Sequence, residues 1–328
     1  MPSTDWLRGK TILVTGGTGT FGRAFVSKLI SIPGIKKIIV FSRDEFKQSE
    51  MQREISDERV RFFLGDVRDP QRMARAFNDV DMVVHAAALK QVPALEYNPL
   101  EAIKTNILGS QNVIEAALDN DVEKVLLISS DKAVQPINLY GATKLCAEKL
   151  FVAANAYRGE RKKTRFSVVR YGNVIGSRGS LVGLISNQRS SGVITLTDER
   201  MTRFWIAVDR VMDIILEALA KMRGEEIFIP KMKALRVLDV IKTLAPECRV
   251  ETIGIRPGEK IHETLITEHE ARRTKNLGNM FVILPEFPSQ ERENYFKDAP
   301  SFPSGTTYVS NHPDFLLSSN EATRVLES

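Results

Sequence analysis

Lys10-Thr-Ile-Leu-Val-Thr-Gly-Gly-Thr-Gly-Thr-Phe-Gly22 decides the fold expected of this 328-residue chain. A short apolar run is followed at once by Gly16, Gly19 and Gly22, and then by a helical pattern through Leu29. Absent side chains let a tight turn approach a pyrophosphate, and the unsatisfied N–H groups that open the helix supply an anion site. Gly16, Thr18, Gly19, Thr20, Phe21 and Gly22 are the residues expected around a dinucleotide. A glycine string alone is a weak sign. Its place between strand and helix, at the head of repeated β/α patterns, gives it weight.

Working outward, residues 37–41 read as the next strand and end in Ser42-Arg-Asp-Glu45, with Lys47 close behind. An acid here accepts the adenosine ribose hydroxyls of NAD, whereas Ser42, Arg43 and Lys47 suit an added 2′-phosphate. Because the hydroxyl and guanidinium precede Asp44 and Glu45, the cofactor expected is NADP. Residues 60–64 deliver Asp66 and Val67. Asp66 either accepts from the adenine amino group, with Val67 packed on the ring, or caps the helix near Pro70. Residues 82–85 lead into Ala86, Ala87 and Ala88, small enough for close approach to a cofactor, and His85 reads as a packed strand-end residue rather than a base. A helical pattern over 99–118 is interrupted by Gly109, with Asn106 holding backbone or water near the crevice and Asn112 facing away from the chemistry. With strands at 125–128 and 166–170, the alternation is that of an α/β, Rossmann-type doubly wound parallel sheet.

The strand at 125–128 carries the chemistry, since ligands sit at the carboxyl ends of such strands. Ser130, Asp131 and Lys132 emerge there, and Tyr140 and Lys144 follow four apart on one face of the next helix. A free tyrosine has a pKa of about 10, so a nearby lysine and a cationic nicotinamide are needed to favour its phenolate. It can then take a hydroxyl proton while hydride leaves the same carbon. The new carbonyl acidifies the neighbouring C–H, which gives Lys132, if neutral, work as a second base and Asp131, if protonated, work as an acid for a departing hydroxyl. The bland alternative is an Asp131–Lys132 ion pair at the crevice rim.

After Tyr171-Gly-Asn-Val-Ile175 the order changes, and the expected division is 1–171 as the dinucleotide-binding domain, with 204–230 returning to it. Residues 172–203 and 231–328 form a smaller, discontinuous C-terminal substrate-binding domain, including Ser177-Arg-Gly-Ser180 and Thr195-Leu-Thr-Asp198. Helices are expected at 204–222 and 237–244, with a short strand at 227–229. Arg256 can bind a phosphate bidentately and Glu259 can accept ribose hydroxyls, the alternative being a structural Arg–Glu pair. The last forty or so residues, punctuated by Pro285, Pro288, Pro300 and Pro303, read as a segment wrapped on the body or as a lid, with a short helix at 320–326.

Composition narrows the partners. A formal charge of +5 is spread over 46 basic and 41 acidic residues, and the local run from Arg158 to Arg165 reads as a solvated turn, so no nucleic-acid surface is expected. No apolar run is long enough to span a bilayer and the start lacks a secretory segment, so a cytoplasmic protein with no membrane partner is expected. Cys146 and Cys248 lie in no ligand-like cluster, which leaves no metal site.

Gly16-Gly-Thr-Gly-Thr-Phe-Gly22 and Tyr140-Gly-Ala-Thr-Lys144 resemble the extended short-chain dehydrogenase/reductase family. Ser42-Arg-Asp-Glu45, Ser129-Ser-Asp-Lys-Ala133, Arg170-Tyr-Gly-Asn-Val174, Met201-Thr-Arg-Phe-Trp205 and Arg256-Pro-Gly-Glu-Lys260 make the chain similar, over nearly all its length, to the inverting UDP-N-acetylglucosamine 4,6-dehydratases of pseudaminic-acid synthesis. The resemblance implies retained NADP and conversion of UDP-N-acetylglucosamine to UDP-2-acetamido-2,6-dideoxy-β-L-arabino-hexos-4-ulose. Tyr140 and Lys144 would manage oxidation at C4, Lys132 would remove the C5 proton, and Asp131 would protonate the leaving C6 hydroxyl. Lys90, Asn173, Arg203, Arg256 and Glu259 fall on the UDP-sugar side. A homo-oligomer, hexameric or dimer-based, and a PLP-dependent aminotransferase receiving the product are implied as well. The family usually carries threonine where this chain has Ser130, which keeps the hydroxyl but not the methyl. Related dehydratases of N-acetylfucosamine or capsular-sugar synthesis, a UDP-sugar 4-epimerase and a non-enzymatic nucleotide-binding scaffold remain alternatives.

Overall fold

The computed structural model describes residues 4–157, 163–176, 181–318 and 321. The expected turn at 177–180, residues 158–162 of the basic run and all but residue 321 of the helix at 320–326 lie outside them. Strands β1 (Thr11–Thr15), β2 (Lys37–Ser42), β3 (Val60–Leu64), β4 (Met82–His85), β5 (Lys124–Ile128), β6 (Arg165–Val169) and β7 (Ile227–Pro230) run parallel, and β8 (Thr274–Asn276) and β9 (Met280–Ile283) add antiparallel neighbours at one edge. The order across the sheet is β8-β9-β7-β6-β5-β4-β1-β2-β3. Beginning at β1, the chain winds outward through β2 and β3, then returns to place β4 on the other side of β1. The crevice at that reversal, beyond the strands' carboxyl ends, is where a doubly wound sheet can hold a ligand.

Every residue of β1 is buried, the pattern of a strand covered on both faces. Helices α1 (Thr20–Ile30), α2 (Glu45–Glu54), α3 (Pro70–Ala76), α4 (Val92–Tyr97), α5 (Gly109–Asp119), α6 (Leu139–Tyr157) and α7 (Val208–Lys221) connect or cover the strands. Asp44 and Asp69 cap α2 and α3 by accepting from the Lys47 and Arg72 amides, so the cap near Pro70 is Asp69 and not Asp66. Among the described residues no helix is long and apolar enough to cross a membrane.

Three boundaries differ from the sequence expectation. The irregularity before α5 is a π-helical turn over Ile103–Leu108, while Gly109 itself stays helical; a Cβ there would lie 2.8 Å from Val67 Cγ2, so the glycine serves close packing and does not break the helix. Residues 204–206, expected to open a helix, belong instead to a fully buried strand, Thr202–Ile206, whose β-branched and aromatic residues pair with Lys233–Arg236, and α7 begins only at Val208. Residues 274–283, assigned from sequence to the smaller lobe, instead supply β8 and β9, because the apolar Met280–Ile283 run is buried against β7.

The smaller lobe has its own apolar cluster, including Ile185, Ile194, Leu196, Trp205, Val240 and Ile241. Its sheets are Lys233–Arg236, Thr202–Ile206 and Asn173–Val174 together, and Arg249–Thr252 paired with Val193–Leu196. The proline-rich end wraps the body. Tyr308, 1% exposed, packs against Phe204, Phe281 and Phe315, and its hydroxyl both accepts from the Met232 amide and donates to the Met232 carbonyl at 2.6 Å.

Candidate active site

A cleft of about 930 Å³ runs from the β1–α1 turn, across the ends of β4 and β5, to the smaller lobe. Among the described residues lining it, none comes from beyond Glu263. Gly16, Thr18, Gly19, Thr20, Phe21 and Gly22 line one end. Gly16 has φ +67°, and a Cβ there would lie 2.9 Å from the Ala87 amide nitrogen; at Gly22 it would lie 2.4 Å from the Gly17 Cα. The three glycines thus permit a left-handed turn and close packing of α1 on it, leaving backbone and a helix start facing the cleft. That shape can hold a pyrophosphate.

Ser42, Arg43, Lys47, Asp66, Val67, Ala86 and Ala87 continue the same wall. Ser42 Oγ is 2.8 Å from Thr18 Oγ1, tying the end of β2 to the glycine turn. The Asp44 carboxylate is occupied by the Lys47 amide at 3.0 Å and the Lys47 ammonium at 2.6 Å, so the acid best placed for a ribose diol is used as a helix cap. Arg43 remains half exposed, 3.7 Å from Asp66, whose main partner is Arg68 at 2.7 Å. Asn112 bonds the Val67 carbonyl at 2.9 Å, and Asn106 takes the amide and carbonyl of Leu89 at 2.8 and 2.9 Å. Both asparagines therefore hold cleft backbone in place.

Ser130, Asp131, Lys132, Tyr140 and Lys144 meet at the centre. After β5 the chain makes a single 3₁₀ turn, Asp131–Ala133, capped by Ser130 Oγ. Asp131 is completely buried; its Oδ1 accepts from Ser130 Oγ at 2.7 Å and Lys132 Nζ at 2.9 Å, while Oδ2 has no partner. Burial alone would lower the Lys132 ammonium's pKa, but Asp131 and Glu263 outweigh it and hold it above its ordinary value. The resting state is an ion pair, not the neutral amine and protonated acid that elimination requires.

Burial pushes the Tyr140 phenol up, with Lys132 and a hydrogen bond with Ser130 pulling it down and Asp131 pushing it further up. Burial brings Lys144 down to about 8 despite Glu148, and its ammonium donates to the Ile128 carbonyl at 2.6 Å. In this arrangement Lys132 is a cation that favours the Tyr140 phenolate. His85 is buried and serves structure, bonded to Thr15 at 2.7 Å and Ser110 at 3.2 Å.

Lys90, Asn173, Arg203, Arg256 and Glu259 line the far side. Arg203 is committed to the loop around it, donating to the carbonyls of Thr202, Lys260 and Ile261 at 2.8, 2.9 and 3.0 Å. Glu259 accepts from Thr197 Oγ1 at 3.1 Å. Sequence reasoning gave no role to Asn138, Lys260 or Glu263. Asn138 Nδ2 donates to the Gly258 carbonyl at 2.7 Å and Lys260 to the Val134 carbonyl at 2.5 Å, fastening the 256–263 loop over the catalytic turn. Their partners are distant in the chain, and only the proximity of Arg256-Pro-Gly-Glu-Lys260 to a proposed phosphate site hinted at them.

A parallel sheet in this order, a glycine turn at its switch point and a tyrosine and lysine four apart beyond β5 define the extended short-chain dehydrogenase/reductase class. A family model described as polysaccharide biosynthesis protein matches residues 12–285, and the chain belongs to that family. It is 48% identical over 289 residues to a UDP-N-acetylglucosamine 4,6-dehydratase (inverting) of Campylobacter jejuni, covering 88% of this chain and 86% of the relative. A UDP-glucose 4-epimerase of Rickettsia bellii is 43% identical over 282 residues, covering 84% of this chain and 82% of the relative. The solved structure of Pen from Bacillus thuringiensis superposes with a TM-score of 0.91 at 36% identity, over 98% of both chains.

Proposed function

We propose that this chain uses NADP to convert UDP-N-acetylglucosamine to UDP-2-acetamido-2,6-dideoxy-β-L-arabino-hexos-4-ulose, removing water across C5 and C6 and inverting C5. The observation that carries this reading is the 2.9 Å contact between Asp131 and Lys132 beside Tyr140. Alcohol oxidation alone needs a tyrosine and a lysine; an acid–amine pair in the same cleft suits elimination. The chain's 48% identity to the C. jejuni enzyme supports it. The glycine turn would hold the pyrophosphate of NADP, with Ser42 and Arg43 at its 2′-phosphate, a choice supported by the commitment of Asp44 to its helix cap.

When bound, NADP supplies the acceptor for a hydride from C4 and returns a hydride at C6. Tyr140 takes the C4 hydroxyl proton, and the resulting C4 carbonyl makes the C5 proton acidic. Shifting one proton from Lys132 Nζ to Asp131 Oδ1 turns the resting ion pair into amine and acid without changing its total charge. Lys132 then accepts the C5 proton, and Asp131 gives its proton to the departing C6 oxygen. Water leaves, the pair returns to ammonium and carboxylate, and a proton delivered to the opposite face of C5, assigned to the Lys132 ammonium, balances the hydride returned at C6 and inverts C5; the proton held on Tyr140 then restores Lys132. Arg256 and Glu259, with Lys90 and Asn173, are assigned to the UDP-sugar, and Arg203 holds the loop that presents them. The same reading places the chain in a cytoplasmic homo-oligomer in pseudaminic-acid synthesis, with a PLP-dependent aminotransferase taking the product.

Kinship with the R. bellii protein favours a second reading, UDP-sugar 4-epimerisation. Incubation with UDP-N-acetylglucosamine in deuterated water, followed by mass spectrometry and NMR, separates the two. Loss of water, a C4 ketone, deuterium at C5 and L-arabino configuration are expected; a C4 epimer at full mass would reject dehydration. Denaturation is expected to release NADP, and bound NAD would overturn the assignment of Ser42 and Arg43.

A further inference from the structure

Lys132 faces a second carboxylate besides Asp131. Glu263, 2% exposed, brings Oε1 to 3.4 Å from Lys132 Nζ. Its backbone is fixed from both sides, its amide donating to Ser310 Oγ at 2.8 Å and its carbonyl accepting from the Ser310 amide at 2.8 Å. Arg203 Nε and Lys260 Nζ stand 3.8 Å from the carboxylate, and Oε2 has no hydrogen-bond partner. A buried carboxylate left so short of donors is costly to fold and depends on the neighbouring cations for compensation. Arg203 and Lys260 are already anchored by backbone carbonyls. Among the described residues the Lys132 ammonium donates a hydrogen bond to Asp131 alone, so Lys132 is the cation whose position Glu263 can govern.

We propose that Glu263 is a positioning residue that serves Lys132 as its second counter-ion. The proposal rests on the dehydration reading above for its consequence: while Asp131 carries the proton destined for the leaving hydroxyl, Glu263 keeps the Lys132 amine in place, and it compensates the ammonium formed when Lys132 accepts the C5 proton. After Lys132 has accepted the C5 proton, the same contact holds that proton on nitrogen. Around Lys132 stand Asp131 of its own turn, Tyr140 of α6, Lys90 beyond β4, Arg203 of Thr202–Ile206, and Lys260 and Glu263 of the covering loop. Burial and Arg203 favour the neutral amine, and Asp131 and Glu263 oppose them. Removing one of the two anions therefore makes Lys132 release its proton at lower pH.

The test is Glu263→Gln in the full chain, read by a measurement that needs no turnover. Trace acetylation with acetic anhydride across neutral to alkaline pH, followed by mass spectrometry of the Lys132 peptide, reports the fraction of neutral amine. The pH of half-maximal labelling at Lys132 is expected to fall by at least about one unit, with Lys144 unmoved as an internal reference. In parallel, C5 deuterium uptake from UDP-N-acetylglucosamine is expected to fall at least about tenfold, with Glu263→Asp recovering part of it. An unmoved Lys132 labelling curve in the folded variant overturns the proposal, whatever happens to turnover. A shifted curve in a protein whose wild type yields only a C4 epimer supports the placement of Glu263 and rejects dehydration instead. Should the glutamine variant fail to fold, Glu263→Met, neutral and of similar length, is read in the same way.

Discussion

At the scale of single residues, the proposed elimination needs the proton of the Asp131–Lys132 pair moved from the lysine to the acid, and the 2.9 Å contact is short enough for that transfer. Lys132→Ala removes the group proposed to take the C5 proton; C5 exchange is expected to fall by about 10²- to 10⁴-fold while UDP binding, assigned to the opposite wall, stays largely intact. Unchanged deuterium exchange in the folded variant would remove Lys132 from the base role. His85 makes the contrasting case of a titratable group held out of the chemistry. Ser110 Oγ donates its proton to the Asn106 carbonyl, so it accepts from His85 Nε2; Thr15 Oγ1 accepts from the Ala86 and Ala87 amides and donates to Nδ1. The imidazole is neutral, and burial followed by the charge of Lys144 drives its pKa from 6.5 to about 3. The unfolded chain therefore binds a proton below pH 6.5 that the folded chain refuses, and stability falls as pH drops from 6.5 towards 3. Between about pH 7 and about pH 5 this one group accounts for about 2 kcal/mol, and urea midpoints should show that part of the slope vanish in His85→Gln. The residues proposed for catalysis could be grouped from sequence because they are neighbours in it, Ser130 to Lys132 and Tyr140 to Lys144, and the fold brings them to one cleft. Glu263 and Asn138 were not, because what they touch is set by the fold.

Elements set how closely these residues approach. Helix α6 meets the Asp131–Ala133 turn at Gly141, where a Cβ would lie 2.2 Å from the Lys132 carbonyl oxygen and 3.0 Å from Pro136 Cβ. Gly141 has no need of a left-handed backbone; it is the point where helix and turn touch. Gly141→Ala must push the turn off the helix, separating Lys132 from Tyr140. Dehydration is expected to fall at least about tenfold, since misplacement of about 1 Å can cost 10²-fold, while released cofactor stays equimolar because the glycine turn is untouched. Full activity in that variant would show that the turn relaxes without consequence. Strands β1 to β6 were readable from short apolar runs bounded by turn residues. Thr202–Ile206 was misread because it runs straight into α7, and the apolar residues of a buried strand and of a helix cannot be told apart by period over so few positions. The π-helical turn at Ile103–Leu108 has no sequence mark of its own, and Gly109 drew attention away from it.

Across the whole molecule, a buried charge network ties the large sheet to the segment that follows the covering loop. Arg170, at the end of β6, donates to Glu148 of α6 at 2.7 Å, to Glu270 at 3.1 Å and to the Leu265 carbonyl at 2.8 Å, and Leu265 and Ala271 pack in the main core. Ser129, at the start of the catalytic loop, donates to Glu148 at 2.5 Å. Sequence showed Arg170 only as the end of a strand, since its acids come from segments that meet after folding. Burial raises the Glu270 pKa, but Arg170 and the Thr267 hydrogen bonds outweigh it and leave the carboxyl below its ordinary value. Such a group stabilises the fold above its unfolded pKa, and the contribution disappears as pH falls through the lower folded value. Arg170→Met keeps the volume but leaves two carboxylates in the interior without their counter-ion, which is expected to cost about 3–5 kcal/mol near neutral pH. It should also reverse the slope. Wild-type protein loses the Glu270 contribution on acidification, whereas in the variant protonation relieves the stranded charges, so the gap in urea midpoint between the two narrows from about pH 7 to about pH 4.5. A gap that is constant over that range would mean that Arg170 holds the 265–270 segment to the sheet through packing of its side chain and not through charge.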